Sequence, residues 1–141
     1  MGIARFVFVI FGVYLMSASH AADHRFKQES EKNLFRYFTL AVCMGMAYES
    51  DSKKLASDVG KAASGYLEFG HMDLDAYEDA RELIKTWLKK DYQSKTGGQV
   101  EIMKCIDLFE SEDLDSLYQK HDPCQKTDRW LDERKFKSRC K

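Results

Sequence analysis

The chain has 141 residues, 22 Lys and Arg against 23 Asp and Glu, a formal net charge of −1, and 44% apolar residues. This mixed and nearly balanced charge excludes binding of nucleic acid or other polyelectrolytes by bulk attraction, and the length suits one domain with one modest core.

The N-terminus opens with Arg5 followed by FVFVIFGVYLM, Phe6 to Met16, an apolar block without a charge. It is about half the ~20 residues that a bilayer span needs, which is the length of the apolar region of an export leader. Ser19 and Ala21 in SASHAA supply the small residues of a leader-peptidase site. Residues 1–21 are therefore expected to be a signal peptide cleaved after Ala21. The alternative is a short anchor left in the membrane, but no stop-transfer sequence follows the block. Loss of Arg5 with the leader takes the formal charge from −1 to about −2.

The remainder contains one proline, Pro123, and no sustained alternation of apolar and polar residues. Helices are expected throughout, in an all-α single-domain bundle of about five. From Phe26 to Tyr48, residues Leu34, Phe35, Phe38, Ala41, Val42, Gly45 and Tyr48 recur at three- and four-residue steps on one stripe. Asp51 or Ser52 can cap a second helix carrying Leu55, Val59, Ala62, Ala63 and Tyr66. Gly60, Ala62, Ala63, Ser64 and Gly65 leave that helix little side chain, which suits close packing at an internal helix crossing or against another subunit. Gly70 is placed for a left-handed C-terminal cap.

HMDLDAYEDARELIKTWLKKDY gives the clearest helix, with Asp73 as cap, acids in the first turns and Lys85, Lys89 and Lys90 towards the end, in keeping with the helix dipole. Tyr77, Ala80, Ile84, Trp87 and Leu88 form its inner face, and Asp75, Glu78, Asp79 and Glu82 share the outer one. Such a face is either solvated surface or a recognition surface. After the loop QSKTGG, Ile102, Met103, Ile106 and Phe109 mark a fourth helix, and Ser111 caps a short fifth with Leu114, Leu117 and Tyr118. Residues 22–121 thus form the helical domain. Residues 122–141, rich in both charges and anchored by Trp130, Leu131 and Phe136, read as a C-terminal extension.

The four cysteines, Cys43, Cys105, Cys124 and Cys140, all lie in the exported part, where thiols tend to be oxidised. Cys105 falls inside VEIMKCIDLF, an apolar setting that raises a thiol pKa and blocks attack, and no motif supplies a base. Metal-ligand spacings such as Cys-x-x-Cys or His-Glu-x-x-His do not occur, and neither does a glycine-rich phosphate loop; no metal or cofactor is expected. A structural pairing of Cys43 with Cys105 and of Cys124 with Cys140 is expected, the first worth roughly 4 kcal/mol in the chain-entropy account. A binding function leads. A cysteine-dependent hydrolase or redox protein in the periplasm is the runner-up, and a small-ligand carrier would need a sizeable cavity.

FTLAVCMGMAY, ASDVGKAASGYLEFGHMDLDAYEDAREL and MKCIDLFESEDLDSLYQK, within about Phe35 to Lys120, resemble the immunity proteins that protect bacteria against type VI secretion amidase effectors of the fourth group. The tail from Cys124 to Cys140 departs from the usual family ending. The resemblance implies an all-helical periplasmic homodimer, not an enzyme, that blocks a peptidoglycan amidase of the NlpC/P60 type. From the charge balance, and from acids that dilute the basic tail, no nucleic acid is expected as partner, and no membrane once the leader is gone. Because such amidases are expected to be basic around the cleft, Asp75, Glu78, Asp79 and Glu82 are the candidate partner-binding residues.

Overall fold

The computed structural model describes residues 25–126, 134 and 137–140. The expected signal peptide, 1–21, lies outside them, as do Trp130, Leu131 and Phe136 of the tail. Among the described residues up to Lys126 five helices follow one another: α1 (Glu31–Ala47), α2 (Lys53–Phe69), α3 (Leu74–Leu88), α4 (Glu101–Phe109) and α5 (Glu112–His121), with 3-10 turns at Arg25–Gln28 and Pro123–Gln125.

Serine starts three of the helices. Ser30, Ser52 and Ser111 sit in extended backbone, and their hydroxyl oxygens accept the N–H of Asn33, Leu55 and Leu114 at 3.2 Å, satisfying amides that a helix leaves open. Asp73 precedes α3 as expected, but its side chain does not cap. Its carboxylate accepts from Lys126 Nζ at 2.9 Å instead, close enough to the positive end of the helix to remain favourable there. α3 ends at Leu88, short of the Tyr92 to which the apolar and charge pattern ran. The first helix likewise starts later than Phe26, because Ser30 captures its cap.

Gly70 does not form the expected left-handed cap: its φ of −83° and ψ of 160° are extended. Space is what requires glycine here. A Cβ at Gly70 would stand 2.7 Å from the Tyr77 hydroxyl and 3.1 Å from the Tyr66 carbonyl. Left-handed backbone occurs instead in the α3–α4 loop, at Gly97 (φ 93°) and Gly98 (φ 84°), where the chain doubles back and Gln93 bridges to Gln99. Among the described residues that bridge is isolated, and the fold is all-α.

α1 is the central element, packed against each of the other four helices. Its stripe of Leu34, Phe35, Phe38 and Val42 is buried, as the three- and four-residue spacing requires, and Phe35, Phe38 and Val42 share one core cluster with Ala76, Tyr77, Ala80 and Ile84 of α3 and Leu108 and Leu114 of the last two helices. The Phe38 and Tyr77 rings meet edge-on at 4.6 Å between centroids, while Phe35 is tilted against both Tyr77 and Tyr118. α2 lies against α1 with Ala63 as its one buried residue. The glycine that lets the two approach is on α1: a Cβ at Gly45 would come 3.0 Å from Val59 Cγ2, whereas one at Gly60 would meet nothing within 4 Å. An internal crossing therefore does not account for Gly60, and Ala62, assigned to the inner stripe by spacing, is exposed.

Both expected cystines are present. Cys43 and Cys105 join α1 to α4 with Cα atoms 5.6 Å apart and no exposure, and Cys124 joins Cys140 at 5.5 Å. Among the described residues no cysteine is free.

Candidate functional site

α3 turns Ala76, Tyr77, Ala80, Ile84 and Trp87 into the bundle, so the residues between them form an outward face by helical geometry. Asp75, Glu78 and Glu82 are exposed on that face, and Asp79 is half-buried beside them. The spacing did bring these carboxylates together, but their surroundings differ. Asp75 lies in the first turn, at the positive end of the helix dipole. Glu82 accepts from Lys85 Nζ at 2.6 Å, one turn along the same helix.

Asp79 belongs to a tighter arrangement. Its Oδ2 accepts from Lys120 Nζ at 2.7 Å and lies 2.8 Å from His121 Nε2, both at the end of α5. The hydrogen bond from Lys120, then that from His121, hold the Asp79 carboxyl below its ordinary value. Asp79 therefore fastens α5 to α3 and is less available to a partner than its position in the sequence implies. Neither lysine nor histidine could be linked to it from sequence, since they stand 41 and 42 positions further along the chain.

α3 and α5 also enclose a groove of about 620 Å³. Its acidic lining comes from Asp79 and Glu82 on one side and Asp113 on the other, with Thr86 and Ser116 adding hydroxyls and Lys120 one cation. Asp113 Oδ2 accepts the Trp87 indole N–H at 3.1 Å, which ties the groove wall to the core. Such a surface offers carboxylates and hydroxyls that accept hydrogen bonds on a rigid two-helix frame. Asp113 was not singled out from sequence. Its position after Ser111 marks it as a first-turn acid of α5, and only the fold brings it to α3.

A second groove, about 530 Å³, runs between α1 and α2, floored by Val42, Gly45 and Ala63 and edged by Val59, Leu67 and Arg81. Arg81 lies over the Phe38 ring at 5.8 Å. A third surface is the outer side of α4, where Ile102, Met103 and Ile106 are 44%, 49% and 47% exposed. Those residues mark the helix as expected, yet they point outwards while Lys104, Cys105 and Leu108 point in.

Cys105, buried and bonded to Cys43, carries no thiol for nucleophilic attack. His71 and His121 each sit against a carboxylate, Glu31 and Asp79. No group of three or more His, Cys, Asp or Glu side chains among the described residues is arranged to hold a metal ion, and no described helix is long and apolar enough to cross a membrane.

Residues 33–118 match a family model described as Tai4, type VI secretion system (T6SS), amidase immunity protein. No curated protein matches the chain. Solved structures do. The chain is similar to one in the crystal structure of the effector Tae4 from Salmonella typhimurium in complex with the immunity Tai4 from Enterobacter cloacae, at 26% identity and a TM-score of 0.58, covering 64% of this chain and 92% of that chain. The Tae4–Tai4 effector–immunity complex from Enterobacter cloacae gives 26% identity and a TM-score of 0.58, with 64% and 91% covered. The Tae4/Tai4 system from Salmonella typhimurium shares the fold at 24% identity and a TM-score of 0.65, with 70% and 96% covered. The match spans most of the described helices, α1 to α5, and with the fold it places the chain in the Tai4 family of type VI secretion amidase immunity proteins.

Proposed function

We propose that the mature chain is a periplasmic immunity protein that binds and inhibits a peptidoglycan amidase effector of the NlpC/P60 type, protecting kin cells from degradation of their walls. The family match over residues 33–118 is the observation that carries this reading. The leader at residues 1–21 supports the compartment, since an effector that attacks the wall has to be met outside the cytoplasm. Inhibition needs complementary shape and charge and no chemistry, so the protein is not an enzyme in this reading.

The partner meets the outward face of α3. Asp75, Glu78 and Glu82 steer a basic cleft and accept charge-assisted hydrogen bonds once docked, while Asp79, already bonded to Lys120 and His121, holds the α3–α5 frame. The protein acts as a homodimer, and the exposed small residues of α2, including Gly60, Ala62 and Ser64, offer a second copy close approach. The helical domain at 22–121 carries recognition, and residues 122–141 are an extension of it.

The test is to mix the mature protein with the amidase encoded beside it and follow muropeptide hydrolysis, alongside survival of cells that carry the amidase in the periplasm. Stoichiometric loss of hydrolysis and survival with the exported form are expected. Full hydrolysis in the presence of excess protein would refute the inhibitor reading. Equal protection by a form lacking residues 1–21 would refute the compartment.

A further inference from the structure

The last described residues of the chain reach back to the first. Arg139 is 6% exposed, and its guanidinium donates to the carbonyl of Phe69, at the end of α2, and to that of Lys27, at 3.0 Å, in the N-terminal 3-10 turn. It also stands 3.5 Å from Glu31 Oε1, and the Arg139 carbonyl accepts the Glu31 N–H at 3.3 Å. Glu31 is fully buried at the start of α1. Its carboxylate accepts the His71 N–H at 2.7 Å and lies 2.9 Å from His71 Nδ1.

Burying a carboxylate is tolerated when opposite charge and hydrogen bonds replace water, so Arg139 acts as the fixed cation for Glu31. The next residue, Cys140, is bonded to Cys124 just beyond α5. The two cystines of the protein differ in access: Cys43 and Cys105 have no exposure, whereas Cys124 and Cys140 are half-buried. Thiol–disulfide exchange requires a thiolate to reach a sulfur, so access decides which cystine reacts in the folded protein.

We propose that Cys124–Cys140 is a redox-sensitive latch: selective reduction by a dithiol releases Arg139 from Glu31, Phe69 and Lys27 and loosens the entry to α1 and the end of α2, with Cys43–Cys105 intact. One thiolate of the dithiol attacks a latch sulfur to give a mixed disulfide, and its second sulfur then displaces the protein thiolate. The latch S–S bond is broken, its two sulfurs gain two electrons and two protons, and the dithiol is oxidised to a disulfide.

The mature protein with both cystines is exposed to dithiothreitol without denaturant, quenched with iodoacetamide at intervals and peptide-mapped. Cys124 and Cys140 are expected to be alkylated roughly tenfold or more faster than Cys43 and Cys105, which wait for larger openings. Amide hydrogen exchange of the selectively reduced protein should rise at Glu31 and His71. Arg139→Gln with the latch closed should reproduce that rise, and reduction of that variant should add little. Equal alkylation of the two cystines would overturn the proposal. So would unchanged exchange at Glu31 and His71 after selective reduction, or full additivity of reduction with Arg139→Gln. The alkylation and exchange arms use the unsubstituted chain, so they decide the matter even where the variant folds poorly.

Discussion

Lys104 Nζ lies 2.9 Å from the carbonyl oxygen of Leu88, the last residue of α3, and 3.0 Å from Glu101 Oε1, in a side chain only 3% exposed. A buried ammonium thus closes the C-terminal end of one helix from within another, where the dipole is negative and carbonyls lack helical partners. Lys104→Met keeps the apolar stem and removes the donor. It should lower stability by about 1–3 kcal/mol, the cost of leaving a buried acceptor unmet, as a urea unfolding curve would read. A midpoint equal to that of the parent would show that water replaces the ammonium.

Loss of the core cystine should cost more. Cys105→Ala opens a link between positions 62 residues apart and leaves a small void beside Leu108. Removing a native cystine from a small exported domain lowers stability by about 2–5 kcal/mol, and thermal melts under non-reducing conditions would measure it. A change under half of that would mean that packing between α1 and α4 suffices to hold them.

On the proposed recognition face, reversing charge at Glu78 and Glu82 together should weaken binding to the amidase and flatten the salt dependence of its association rate. Folding should change little, because both side chains are exposed and the Glu82–Lys85 pair is a surface contact within one helix. An unchanged dissociation constant and salt response in the folded double variant would remove the acidic-face proposal and leave family membership untouched.

Stability should also fall in alkali. Burial, then the Glu31 charge, raises the Tyr77 pKa, and burial followed by the hydrogen bond to Asp122 raises that of Tyr118. A raised folded-state value means that the stabilising contribution is complete below the unfolded tyrosine value of about 10 and is lost as pH climbs past it towards the folded values. Tyr118→Phe should make the alkaline limb of a stability–pH curve shallower. An identical limb in the variant would place the alkaline sensitivity elsewhere.

Local pattern carried much of the architecture and little of the electrostatics. The α1 stripe was legible because Leu34, Phe35, Phe38 and Val42 obey helical spacing and α1 is buried by its four neighbours. VEIMKCIDLF misleads for the opposite reason: its apolar Ile102, Met103 and Ile106 are exposed and its one lysine is buried. Hydrophobicity alone could not orient a helix whose inner side is chosen by a cystine and a helix-end carbonyl. The outer acidic face of α3 followed from spacing, but the attachment of Asp79 to Lys120 and His121 depends on how α5 packs. The bond of Arg139 to Phe69, 70 residues away, is further still from any local signal.

The two cystines divide the covalent chain into closed rings that do not overlap. One runs from Cys43 to Cys105 and contains all of α2, α3 and the glycine loop, and the other runs from Cys124 to Cys140. α5 is the bridge between them. A single peptide-bond cut at Gly97–Gly98 would therefore open the larger ring without separating two fragments, so the nicked molecule would keep its mass plus one water until it was reduced. A cut within α5 would sever the molecule at once, because no sulfur bond spans that stretch. The exposed glycine loop is thus the connection whose scission the covalent chain tolerates best.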